Sequence, residues 1–278
     1  MCRKNRIQNR QVGGTAVRHE WMEFRQTEFS EIDEKKTIAV LPTAAIEQHG
    51  PHLPVGTDTI IGMGMLAEVA GLLPPDIDVR ILPVQSVGKS NEHLWSRGTL
   101  TLSAETALRA WTEIGLSVAR SGVRKMVIVN SHGGNLDLIS IVARELRVQA
   151  GLYVVKCQWG SFGHPEGLYS NRELQFGIHG GDVETSLMLH FRPDLVDISS
   201  AKDFGSTATI DPVGPVGPIS YGWVSKDLNT SGTVGNAAMA TAEKGQQTAR
   251  HQAEGFIQLL RSVVSVDATR FSPETQPN

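Results

Sequence analysis

The stretch Met126-Val127-Ile128-Val129-Asn130-Ser131-His132-Gly133-Gly134-Asn135 is apolar at its first four positions and polar or glycine after them. A strand that is apolar at consecutive positions has both faces covered, as in the interior of a parallel sheet. The glycine pair ends the strand, and Leu136, Ile139, Val142 and Leu146 then recur at helical spacing. Working outward, the β-branched run Thr37-Ile38-Ala39-Val40-Leu41 reads as a second buried strand, ending at Pro42. A loop dense in Gly, Pro and His follows, then a predicted helix over 59–73, stopped by Pro74-Pro75. Residues 79–84 and 152–157 read as further strands. The span 103–120 reads as an amphipathic helix capped by Ser103. Another helix opens near Asp182, and a final one is expected over 236–264. Strands alternating with helices predict an α/β fold: a three-layer α/β/α sandwich with a mostly parallel central sheet. Ligands of such sheets bind beyond the carboxyl ends of the strands, where both His-bearing loops lie.

Composition narrows the partners. With 20% charged and 40% hydrophobic residues, the 278-residue chain is not a disordered one. Its 26 basic and 29 acidic residues are mixed, so neither nucleic acid nor an anionic membrane is expected as a partner. No apolar run approaches the roughly 20 residues that cross a bilayer, and the basic N-terminus lacks a secretory core. A cytoplasmic setting is therefore expected. Cys2 and Cys157 cannot build a disulfide framework or a thiolate zinc site. The Pro-Val-Gly-Pro-Val-Gly-Pro run within 211–222 excludes regular helix or central strand; it is a lid, a subunit contact or a long connection.

Most of the nine histidines sit in short clusters with Gly, Asp or Glu, and these carry the chemistry. In Glu47-Gln48-His49-Gly50-Pro51-His52-Leu53-Pro54-Val55-Gly56-Thr57-Asp58, Glu47 and His49 are two apart and share a face in extended chain. With Asp58 they form a donor set suited to Zn²⁺, Mn²⁺ or Fe²⁺; a polar turn with Asp58 as helix N-cap would use the same residues. The glycines of Ser131-His132-Gly133-Gly134-Asn135 would let backbone amides face an oxyanion, or would simply shape a strand-to-helix turn. In His179-Gly180-Gly181-Asp182-Val183-Glu184, Glu184 falls in a first helical turn, where the helix dipole alone would favour a carboxylate. Gly88-Lys89-Ser90 lacks the earlier glycine of a P-loop, Pro83 standing in its place. Gly62-Met63-Gly64 lies inside a helical pattern and not directly after a strand, against a dinucleotide fingerprint. No Gly-x-Ser-x-Gly elbow is present.

Taken in order, the stretch from Leu41-Pro42 to Asp58, Glu92-His93 with Gly98-Thr99, the run 130–135, the run 179–189 and the segment 235–245 resemble the creatininase (creatinine amidohydrolase) family. The resemblance spans about 38–253 and implies one α/β domain, here 19–270; the basic, aperiodic residues 1–18 read as a flexible arm and 271–278 as a polar tail. It implies a two-metal hydrolase assembled as a homo-oligomer, usually a hexamer. Glu47, Asp58 and His132 would hold one metal, and His49, Asp58 and Glu184 the other, with Asp58 bridging. Two cations about 3.5–4 Å apart lower the pKa of a shared water, and the resulting hydroxide attacks a carbonyl. His179 would serve as acid/base toward the leaving nitrogen, with Glu184 beside it and amides of Gly133 and Gly134 supporting the oxyanion.

The sequence also departs from the family's name-giving enzyme. There, Tyr-Glu follows the central-loop histidine, where this chain has Gly133-Gly134. A pocket tryptophan is replaced by Gln175, and Trp159 is expected to replace the other aromatic wall. Leu94-Trp95-Ser96-Arg97 stands where many relatives carry Phe-Pro, so Arg97 would bind a carboxylate or phosphate of the substrate, or be an ordinary surface residue. Glu92 and His93 complete the expected pocket. The reading is a hydrolase of a small cyclic amide. Lactone or cyclic ketone opening, formamide or peptide hydrolysis, and a metal-stabilised scaffold are the alternatives.

Overall fold

A computed structural model describes residues 18–271 and 273, together with the backbone of a short antiparallel pair, β1 (Gln11–Val12) and β2 (Thr15–Ala16). Most of the expected basic arm and of the polar tail thus lies outside the described residues. Of the boundary residues, Arg18 pairs with Glu28, and Phe271 stacks on Tyr153 at 5.2 Å between ring centroids.

The centre is a four-stranded sheet of β3 (Ile38–Thr43), β4 (Val79–Ile81), β5 (Lys125–Asn130) and β6 (Tyr153–Gln158), in the order β4-β3-β5-β6. All three pairings are parallel. Alternation along the strands feeds two separate cores. Ile38, Val40, Val127 and Val129 face one side. Ala39, Leu41, Met126 and Ile128 face the other, which explains why both strands read as unbroken apolar runs. The first side is covered by α1 (Thr57–Leu72) and, later in the chain, by α5 (Asp182–Phe191) and α7 (Ala242–Ser265). The second is covered by α2 (Ala104–Arg120) and α3 (Leu136–Ala150), packed through Trp111, Ile139, Val142 and Leu146. The molecule is the expected three-layer sandwich. Shorter elements complete it: α4 (Asn171–Phe176), β7 (Asp203–Phe204), α6 (Ser225–Leu228) and β8 (Gly235–Asn236), with β7 and β8 paired antiparallel.

Several boundaries differ from the sequence reading. Strand β3 continues through Pro42 to Thr43, because Pro42 faces the side where β4 has already ended. Its carbonyl still accepts the N–H of Gln85 (2.9 Å), so the missing amide donor leaves no ladder bond unmade. Strand β4 stops at Ile81, short of the expected 84. The last helix begins at Ala242, not 236; Thr241 caps it by accepting the N–H of Lys244 (3.2 Å), and residues 235–236 form β8 instead.

A buried lysine anchors the far end of the sheet. Lys125 is 1% exposed, and its ammonium donates to the carbonyls of Lys35 and Val264 (2.6 Å to the latter). It thereby satisfies an acceptor in the last turn of α7, where a cation also complements the helix dipole.

Candidate active site

The site forms at the carboxyl edge of the sheet, where the loops after β3 and β5 meet the start of α5. The β3 loop folds back on itself: the N–H of Glu47 donates to the Val55 carbonyl (2.8 Å), and Gly50 takes a left-handed φ of 74°. Two asparagines rivet the neighbouring loops. Asn130 Oδ1 accepts from Thr43 (2.9 Å) and Asn135 (3.1 Å). Asn135 in turn donates to the Ala44 carbonyl (3.1 Å) and accepts the Lys89 N–H (3.0 Å). Neither asparagine exposes any surface, so the frame is rigid where the histidines leave it.

Three carboxylates and four imidazoles converge on this frame. Asp58 is not an N-cap: it sits inside the first turn of α1, and its two oxygens point to different partners. Oδ1 lies 3.2 Å from His49 Nε2, and Oδ2 lies 3.3 Å from His132 Nδ1. His132 Nδ1 is also 3.2 Å from Glu47 Oε1, and His49 Nε2 is 3.7 Å from Glu184 Oε2. The outer nitrogens are oriented by carbonyls. His132 Nε2 donates to the Lys89 carbonyl (2.8 Å), and His49 Nδ1 to that of Glu47 (3.1 Å). Each histidine therefore presents its other nitrogen to the carboxylates, the orientation a cation-ligating imidazole needs.

One donor atom from each of Glu47, Asp58 and His132 lies within 4.8 Å of the others, and the same holds for His49, His179 and Glu184. Glu47, His93 and His179 form a third such group. The sequence reading assigns His179 to proton transfer; the structure makes it a member of the second and third groups, between His49 (ring centroids 4.1 Å) and His93 (4.4 Å). Its Nε2 donates to the Gln48 carbonyl (2.6 Å), and Nδ1 lies 3.6 Å from Glu47 Oε1. Glu184 accepts the N–H of Gly180 (2.6 Å) and is the most solvent-exposed of the three carboxylates.

The electrostatics call for positive charge. Burial alone would raise the Glu47 carboxyl, but His132, then His179 and His93, hold it well below the usual range. Burial opposes charge on His49, yet Asp58, with Glu184 and Glu47, carries it up to about 10. His132 is likewise held well above its ordinary value, against burial, chiefly by Glu47 and Asp58. Glu47 Oε2, Asp58 Oδ2 and His49 Nε2 are buried without a hydrogen-bond partner. Orphaned donor atoms of this kind, facing one another, fit divalent cations with nitrogen and oxygen ligands.

The remaining expected residues divide. His93 is buried inside the cluster, with Nε2 3.5 Å from Glu47 Oε1 and Nδ1 2.8 Å from the Gln48 amide. Glu92 lies behind His132, 3.6 Å from Nε2. Gly133 is exposed, and Gly134 is enclosed by Glu92, Lys89 and His132. Arg97 is exposed on the loop after His93. Trp159 corrects the expectation: it is not a pocket wall but a core residue, 4% exposed and packed on Phe256 at 5.0 Å. Sequence reasoning gave no role to Gln48, whose amide reaches His93, His179 and the Gly232 carbonyl. It also gave none to His52, which bonds Gly180 and Thr185 across the start of α5. Both lie in the quoted Glu47–Asp58 element, and their proximity to it was the available signal.

The family model for creatinine amidohydrolase matches residues 22–260. The creatinine amidohydrolase of Pseudomonas putida is 31% identical over 241 residues, covering 81% of this chain and 88% of that protein. The mycofactocin precursor peptide peptidase of Mycolicibacterium smegmatis is 29% identical over 213 residues, covering 76% and 78%. Among solved structures, a manganese form of creatininase superposes with a TM-score of 0.70 at 26% identity, covering 89% of this chain and 99% of that one. A mutant creatininase of Zn-Zn type gives 0.71 at 25%, covering 90% and 100%. The chain belongs to the creatininase family of hydrolases.

Proposed function

We propose that the chain is a dinuclear metal-dependent amidohydrolase acting on a small cyclic amide or a related C–N bond. Glu47, Asp58 and His132 would hold one divalent cation, and His49, Asp58 and Glu184 the other, with Zn²⁺, Mn²⁺ or Fe²⁺ all suited to such donors. The observation that carries this reading is Asp58, whose two oxygens divide between His49 and His132 at 3.2 and 3.3 Å. A bound cation pair supplies Lewis-acid polarisation of a carbonyl and activation of water at neutral pH.

The chain's own residues then set orientation and proton movement. The Lys89 and Glu47 carbonyls lock the ring planes of His132 and His49. His179 keeps its Nε2 proton on the Gln48 carbonyl, so Nδ1 is the nitrogen that exchanges a proton with the leaving group. Glu184, at the open side, stands where it can share that proton. Glu92 and His93 would border the substrate, the amides of Gly133 and Gly134 would support an oxyanion, and Arg97 would meet an anionic substituent at the rim.

Cleavage of a short peptide is the second reading. Val55, Leu94 and Leu100 are exposed apolar residues on the loops that carry the site, and the mycobacterial relatives are named as peptidases. We further propose a homo-oligomer, supported by Ile210 and Ile219, which are 87% and 80% exposed on the connection before α6. Chelation followed by readdition of Zn²⁺ or Mn²⁺, assayed against cyclic amides, lactones and short peptides, tests the function. Loss and recovery of hydrolysis is expected. Unchanged activity after complete metal removal would refute the reading.

A further inference from the structure

Glu173, on α4, is a carboxylate that the proposed chemistry does not use, yet it is only 5% exposed. Its Oε1 accepts the N–H of Asp182 (2.6 Å), and its Oε2 accepts the N–H of Asn236 (2.8 Å). Asp182 opens α5, and the preceding N-cap residue, Gly181, makes no side-chain cap. An α-helix leaves its first N–H groups without intrahelical partners. Glu173 supplies one from a different element, with the negative charge that a helix N-terminus favours.

Room for this carboxylate is made by glycines. A Cβ on Gly177 or on Gly181 would lie 2.2 Å from Glu173 Oε1, and one on Gly235 would lie 3.0 Å from it. The segments that close on Glu173 are those that present half of the site. Gly180, whose N–H holds the Glu184 carboxylate, adjoins Gly181. His179 exchanges backbone hydrogen bonds with Val234 (2.8 and 3.4 Å), the residue before Gly235. Glu47, Asp58 and His132, by contrast, hang from the loops after β3 and β5 and from the start of α1.

We propose that Glu173 is a positioning residue: by bonding the start of α5 and β8 together, it sets Glu184 for the second cation site and His179 for proton transfer, and leaves the ligands of the first site in place. This rests on the two-cation reading above. Glu173→Ala would leave the buried Asp182 N–H and the partly buried Asn236 N–H unpaired and a gap among three glycines, letting the turn at 179–182 relax. Glu173→Gln keeps one acceptor oxygen and places an amide donor against the other N–H.

The test is calorimetric titration of the full-length apoprotein with Zn²⁺, repeated with Co²⁺ followed by its visible absorption bands. Wild type should bind two equivalents. In Glu173→Ala the second equivalent should weaken about 10–100-fold, the cost typical of losing an outer-shell partner, while the first keeps its affinity. The retained first site reports that the variant is folded. Glu173→Gln should fall between the two, and the Co²⁺ spectrum of the second site alone should change. Two unchanged equivalents in Glu173→Ala would overturn the proposal. Equal loss of both sites would also overturn it, showing a general scaffold role. A wild type that binds fewer than two equivalents would overturn the two-cation reading itself.

Discussion

Adding one methyl group at Gly134 should disable the first cation site, whereas the same change at Gly133 should not. A Cβ at Gly134 would stand 2.4 Å from Glu92 Oε1, 2.4 Å from the Lys89 carbonyl oxygen and 2.5 Å from His132 Nε2. Ordinary contact begins near 3.4 Å, so these atoms must retreat by about 1 Å. The Lys89 carbonyl is the acceptor that orients His132. Displacing it removes a hydrogen bond worth about 1 kcal/mol and turns Nδ1 away from Glu47 and Asp58. An outer-shell loss of this kind weakens metal binding by about 10–100-fold, equal to about 1.4–2.8 kcal/mol. A Cβ at Gly133 would meet nothing within 4 Å. Metal titration of Gly134→Ala and Gly133→Ala side by side is the assay. Wild-type affinity in Gly134→Ala, or equal loss in both variants, would refute the reasoning. The same crowding predicts that Gly134→Glu is harmful.

Lys125→Met should lower stability by about 2–4 kcal/mol, since two charge-assisted hydrogen bonds vanish and apolar contact returns only part of their worth. Thermal unfolding should then shift down by about 5–15 °C, and a shift under 2 °C would show that the Lys35 and Val264 carbonyls need no donor. The Cys157 thiol is pushed up to about 12 by burial, so it should resist iodoacetamide at pH 8 until the protein is denatured; rapid modification of Cys157 in the native state, mapped by mass spectrometry, would contradict this. Arg97→Ala should raise KM for a substrate bearing a carboxylate or phosphate while sparing kcat, and an unchanged KM would remove Arg97 from substrate binding.

Much of the layered fold was legible because β3 and β5 are buried on both faces and so read as unbroken apolar runs. The segments bearing Glu47, His49, Asp58, His132, His179 and Glu184 were equally legible, since each is a short His or carboxylate cluster at a strand or helix end. What the sequence hid was long-range. Pro42 looked like a strand end because only the position of β4 shows that its amide has no partner to lose. Asn236 looked helical because α7 is continuous with it in pattern, while its backbone is taken by Glu173 and β8. Trp159 looked available for a pocket until Phe256, nearly a hundred residues later, covered it. Glu173 gave no local signal at all: its partners are backbone amides of Asp182 and Asn236, which no side-chain pattern marks.

Asp58 would join two cations between the Glu47–His132 and His49–Glu184 halves of the site. Elemental analysis of the untagged protein, purified without chelators and reconstituted with Zn²⁺ or Mn²⁺, tests it most directly. Two metal equivalents per chain are predicted, with both sites weakened together in Asp58→Ala. A single equivalent that survives Asp58→Ala, or none after reconstitution, would contradict the claim.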